Sequence, residues 1–133
     1  MRTIKILAAI WCCIMTISAC KKDHDEDGTP TVVNIAFSAP QAAQVYRNGD
    51  TMNIAATVTA DGVMHGYELL VTDTATGEVL CNYAEHAHGD RFVVQQAVGL
   101  SGATARAMKV DIRVEVDHAG NEKEAYIVCR YQP

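Results

Sequence analysis

From residue 31 to the C terminus, apolar and polar positions alternate with period two. The clearest stretch is Met108-Lys109-Val110-Asp111-Ile112-Arg113-Val114-Glu115-Val116, where every second side chain is apolar and every one between is charged. Successive side chains of an extended chain point to opposite faces, so this stretch predicts a strand with one face on a core and one in water. The same alternation places strands at Met52, Ile54, Ala56 and Val58, at Tyr67, Leu69 and Val71, and at Val79, Cys81 and Tyr83. It continues at Phe92 and Val94 and at Ala125, Ile127, Cys129 and Tyr131, and Ile35 with Phe37 supplies an opening strand before Pro40. No window in this region carries a helical stripe. Turn formers separate the runs: Asn48-Gly49-Asp50, Asp61-Gly62, Thr76-Gly77, His88-Gly89-Asp90, Ser101-Gly102 and Gly120-Asn121. About seven short strands joined by turns in about a hundred residues predict an all-β chain folded as an antiparallel β-sandwich.

The tail Val114-Glu115-Val116-Asp117-His118-Ala119-Gly120-Asn121 resembles the penultimate strand and turn of bacterial immunoglobulin-like and fibronectin-type-III-like domains. The resemblance extends over Thr31 to Gln132 and implies an immunoglobulin-like sandwich. Proline is almost absent after Pro40, as ladder hydrogen bonding requires. Aromatic residues make up only 6% of the chain, so the core is aliphatic and no aromatic platform for sugar stacking stands out. The one tryptophan, Trp11, precedes the strands, and the buried tryptophan of antibody domains is therefore missing.

The first twenty residues have a different character. Arg2 and Lys5 precede an apolar stretch, Ile6 to Ile17, that is short for a membrane span. Ile17-Ser18-Ala19-Cys20 then resembles the lipobox of bacterial lipoprotein signal peptides. That likeness implies cleavage before Cys20 and a covalent lipid, palmitate included, on Cys20; an ordinary transmembrane anchor and an unlipidated secretory signal are the alternatives. Lys21 to Gly28, KKDHDEDG, has no apolar residue with which to bury surface and is expected to be a solvated tether. Such an acidic stretch behind a lipidated cysteine resembles the export signal of Gram-negative lipoproteins that reach the cell surface, with a periplasm-facing protein as the alternative. Asp23, Asp25, Asp27 and Gly28 imitate the start of a calcium loop, but Asn34 stands where that loop needs a bidentate Glu. The expected organisation is a signal peptide over 1–19, lipidated Cys20 with an acidic tether over 20–30, and one sandwich domain over 31–133. The whole chain is similar to small Gram-negative lipoproteins that carry one such domain, a likeness that implies a fold and an outer-membrane address but no activity.

Charge narrows the partners. The chain carries 11 basic and 16 acidic residues, a net charge of −5 with histidine neutral. Loss of residues 1–19 removes Arg2 and Lys5 and no acid, so 9 basic residues remain against 16 acidic ones, a net −7. That balance argues against nucleic acid, which wants a basic face. The membrane, through the lipid, and a protein or glycan remain as partners. Catalytic signatures are missing as well. There is no phosphate-binding glycine loop and no dinucleotide fingerprint. Ser101 lacks a nucleophile elbow and, by strand parity, lies at the far end from the histidines. A non-catalytic binding or structural module is the first expectation.

Histidine supplies the alternative. Apart from His24 in the tether, the histidines are His65, His86, His88 and His118, all at strand ends. One strand climbs to Asp61-Gly62 and His65 opens the next; a later strand climbs to Glu85-His86-Ala87-His88, and the penultimate one ends at Asp117-His118. With up-and-down connections all four histidines reach one rim of the sandwich. Clustered imidazoles suit zinc or copper, and His-x-His in extended geometry puts both rings on one face. Glu85, Asp90 and Asp117 lie nearby as ligands or as acceptors that orient the rings. A structural clamp on three loops is expected of such a site before catalysis, with plain exposed loop residues as the bland alternative. Finally, Cys81 and Cys129 share the inward parity of their strands, and an oxidising envelope would allow a disulfide. Their heights on the strands differ by on the order of 13 Å at ~3.3 Å per residue, against the ~7 Å limit between bridged Cα atoms. Two buried thiols are the plainer expectation.

Overall fold

Eight strands and no helix form among the residues described by the computed structural model, which are Pro30 and residues 32–133. Cys20, the Lys21–Gly28 tether with His24, and the calcium-like Asp23, Asp25, Asp27 and Gly28 lie outside the described residues. In chain order the strands are β1 (Val33–Ala39), β2 (Val45–Arg47), β3 (Thr51–Met64), β4 (Gly66–Asp73), β5 (Val79–Glu85), β6 (Gly89–Gly99), β7 (Arg106–Glu115) and β8 (Glu122–Gln132). They make two sheets, β1-β3-β6 and β2-β8-β7-β4-β5. The molecule is an all-β sandwich of the immunoglobulin-like kind.

The alternating pattern sorts side chains as a half-buried strand must. On β7, Met108, Val110, Ile112 and Val114 are fully buried. They face Met52, Ile54, Ala56 and Val58 of β3 across the sandwich, with Leu69 and Val71 of β4 beside them in the same cluster. Central position explains the completeness of this burial: β7 lies between β8 and β4, and β3 between β1 and β6. The edge strand β5 is less covered, and Val79 and Tyr83 on it are exposed.

Several expectations need correction. The eight strands agree with the expected number to within one, and the extra strand, β2, carries no alternating pattern to announce it. It is three residues long, buries only Tyr46, and runs parallel to β8, so the sandwich is not wholly antiparallel. Asp61-Gly62 is not the turn. Those residues belong to β3, where the register with β6 slips between Thr59 and Met64, and the chain reverses at His65-Gly66 instead. Cys81 and Cys129 are both free. In the order β8-β7-β4-β5 they sit three interstrand spacings apart, roughly 14 Å at about 4.8 Å each, too far for a disulfide. Cys129 is fully buried, its thiol 3.7 Å from the Gln41 carbonyl, and burial pushes its pKa up.

Candidate metal centre

The chain passes between the two sheets at the same end of the sandwich in two places, and each passage carries histidine. His65 is the single residue between β3 in one sheet and β4 in the other. His86, Ala87 and His88 connect β5 back to β6. Between them, at that end, β7 turns into β8 through Val116 to Asn121, which includes His118. The register ties the three connections together: Met64 opposes Gly89, Gly66 opposes Glu115, and Tyr67 opposes Glu85.

All four imidazoles meet there. The ring of His65 lies 4.0 Å from that of His118 and 4.7 Å from that of His88, between centroids. His88 and His86 stand edge to face at 5.2 Å, with their Nε2 atoms 3.4 Å apart. One ring nitrogen each from His65, His88 and His118 falls within 4.8 Å of the others. His86 is outside that trio and touches it through His88.

His65 is the fixed member. It is only 9% exposed, its backbone N–H donates to the Glu115 carbonyl at 2.8 Å, and its Nδ1 is buried with no hydrogen-bond partner among the described residues. Burial, and after it the neighbouring His118 and His88, push its pKa down; Glu115 pulls weakly the other way. That shift favours the neutral ring, the form whose lone pair a metal takes. His86, His88 and His118 are exposed at the rim.

Gly66 makes the close approach possible. Its φ is +151°, which L-residues rarely adopt, and a Cβ built there would stand 2.5 Å from the Glu85 carbonyl oxygen and 3.2 Å from the His86 Cα. Only glycine lets the end of β5 lie against the start of β4 at this height.

The carboxylates do not orient imidazoles as the sequence suggests. Asp117 is taken up by its own loop: Oδ1 accepts from the N–H groups of Ala119 (2.9 Å) and Asn121 (3.1 Å), and Oδ2 accepts from the Asn121 side-chain amide at 2.6 Å. The bonds from Asn121 hold its carboxyl below the usual range. Asp117 thus shapes the loop that presents His118. Glu85 Oε2 accepts from the Tyr67 hydroxyl at 2.9 Å and lies 3.3 Å from that of Tyr83. Burial first, then this bond, push the Tyr67 phenol up. Asp90 has no hydrogen bond or ion pair to the rim histidines among the described residues.

Beside His86 lies a cleft that sequence reasoning missed, lined by Glu68, Glu85, Glu115, Glu122 and Arg113 as well as His86 itself. Glu115 and Glu122 flank the β7–β8 turn as a cross-strand pair. Two acids facing each other across a hairpin are the signal that the sequence carries for it.

No family model matches this chain, and no curated protein matches it either. Among solved structures, the CARDB domain of a Pyrococcus furiosus protein, solved in complex with di-metal ions, aligns with a TM-score of 0.49 and 11% identity. The alignment covers 83% of this chain and 99% of that one.

Proposed function

We propose that this chain is a non-catalytic envelope module, anchored by lipid on Cys20 to the outer membrane and facing the cell surface, that holds a zinc or copper ion on its histidine rim. The observation that carries the metal is His65: a buried ring nitrogen without a partner, at the meeting point of two further imidazoles. Leaving such an atom unpaired costs roughly 1–3 kcal/mol, and coordination would satisfy it.

The dimensions fit. Nitrogens around a tetrahedral zinc at 2.0–2.1 Å are ~3.3 Å apart. Rings whose nitrogens lie within 4.8 Å of one another need shifts of about an ångström to reach that spacing. The exposed His88 and His118 can supply that movement while His65 stays in place. An ion there would tie both passages between sheets to the β7–β8 turn, which is a clamp. Support for the absence of catalysis is that Ser101 lies in the β6–β7 connection, away from every histidine of the rim.

The test is a thermal melt with metal analysis on the full-length chain in detergent, with chelator and then with added zinc or copper. A ligand that binds only the folded state stabilises it by ~2.7 kcal/mol at a hundredfold excess over its Kd. We expect such a stabilisation with one ion per chain, lost in His88→Ala and His118→Ala, whose exposed rings make little packing contribution of their own. No bound metal and no shift would overturn the metal reading and leave a protein or glycan as the partner. The anchor has its own check: fatty-acid label should enter the wild-type chain in cells and be absent from Cys20→Ser, and equal labelling would refute lipidation there.

A further inference from the structure

Resting on that metal reading, we infer that the acidic cleft beside the rim is the path by which the cation reaches it, and that His86 is the transfer ligand that hands the ion to His65, His88 and His118.

Three observations converge. The first is charge. Four carboxylates, of Glu68, Glu85, Glu115 and Glu122, face the cleft with one guanidinium, Arg113. Arg113 is shared among acids, with Asp111 at 3.3 Å, Glu124 at 3.8 Å and Glu68 at 3.9 Å. Glu85, Glu115 and Glu122 have no ion-pair partner among the described residues, so the cleft is left negative. A recess with a net negative charge concentrates cations and speeds their arrival.

The second is continuity. His86 both lines the cleft and lies against the trio, its Nε2 3.4 Å from that of His88. That distance is already the ~3.3 Å edge of a tetrahedral zinc site, so an ion could bind the two rings together without either moving far. Beyond His88 stands the unpartnered Nδ1 of His65, nine-tenths buried. The imidazoles thus form a series from solvent to the buried ligand.

The third is exclusion. His86 reaches only one member of the trio, whose nitrogens are within 4.8 Å of each other without it. It is placed to receive and release, not to remain. In the step itself, the hydrated ion loses waters as His86 and then His88 bind it. The bond to His86 would break as His65 and His118 complete the set, and no electron moves.

Stopped-flow uptake of Co²⁺ by the full-length chain in detergent reads this directly, because the visible spectrum of bound cobalt reports its ligands. His86→Ala should slow association by about tenfold or more, with unchanged stoichiometry and an unchanged final spectrum. Glu115→Gln combined with Glu122→Gln should also slow it, and should flatten its dependence on ionic strength. Rates equal to wild type in both variants would overturn the path. A changed final spectrum in His86→Ala would overturn the transfer role by making His86 a resident ligand. Failure of the wild-type chain to bind cobalt at all would instead remove the metal reading on which this rests. A thermal melt of each variant without metal shows whether the fold is intact.

Discussion

Gly66→Ala is expected to destabilise the domain by roughly 3–5 kcal/mol and to scatter the histidine cluster with it. Two costs add. An L-residue forced to a φ of +151° carries backbone strain, and its Cβ would meet the Glu85 carbonyl oxygen at 2.5 Å. That oxygen belongs to backbone and cannot swing aside as a flexible side chain would, so the end of β5 must shift. His86 and His88 follow directly in the chain and must move with it. Gly77→Ala is the control. Gly77 also has a positive φ, +75°, but a Cβ added there would find nothing within 4 Å, so it carries only the backbone cost. Denaturant unfolding of both variants isolates the close approach, and metal uptake reports the cluster. Equal loss of stability in the two would show that the end of β5 yields freely.

Ile112→Ala is expected to cost about 2–5 kcal/mol, the range for removing buried methylenes from a core that cannot collapse around the gap. Ile112 is fully buried on the central strand β7, opposite Leu69 on β4 and Ala125 on β8. With neighbours hydrogen-bonded on both sides, the backbone has little freedom to close the cavity. The melting temperature should fall by on the order of 10 °C or more. Below the new midpoint, metal uptake should survive, because the deleted atoms lie in the core and the ligating rings at the rim. Stability and metal uptake therefore separate in this variant, whereas they fall together in Gly66→Ala. A change in midpoint of only a degree or two would mean that the core repacks around the missing side chain.

The strands were legible because burial on one face imposes a period of two, and β7 shows how directly. What escaped lacked that period. β2 is too short to alternate, and its one buried residue, Tyr46, is held by a parallel edge pairing with β8 that no local pattern reports. The misplaced turn has a different cause. Asp61-Gly62 has turn chemistry, yet Gly62 is not at positive φ, and the glycine that needs its freedom is Gly66. Strand parity placed His65, His86, His88 and His118 at one end, since parity counts reversals and is insensitive to where each turn falls. It could not foresee which side chains would touch. Asp117 looked like a partner for imidazole, but a short carboxylate just before a turn reaches the N–H groups of its own loop first. Glu115 and Glu122 alternate like any solvent-facing charge, and only the pairing of β7 with β8 brings them to the cleft.

The direction in which β1 starts sets which end of the sandwich the preceding chain joins. Val33 opposes Ala60, and Val32 exchanges hydrogen bonds with Asp61, so the chain enters the sandwich at the histidine end. Eleven residues separate Cys20 from Val32, a leash of at most roughly 40 Å over the twelve steps when fully drawn out. If Cys20 is held in the bilayer as proposed, the histidine rim is the end of the sandwich to which that leash attaches. The opposite end, with the turns at Gly49 and Gly102, would then be the end farther along the sandwich from the anchored chain.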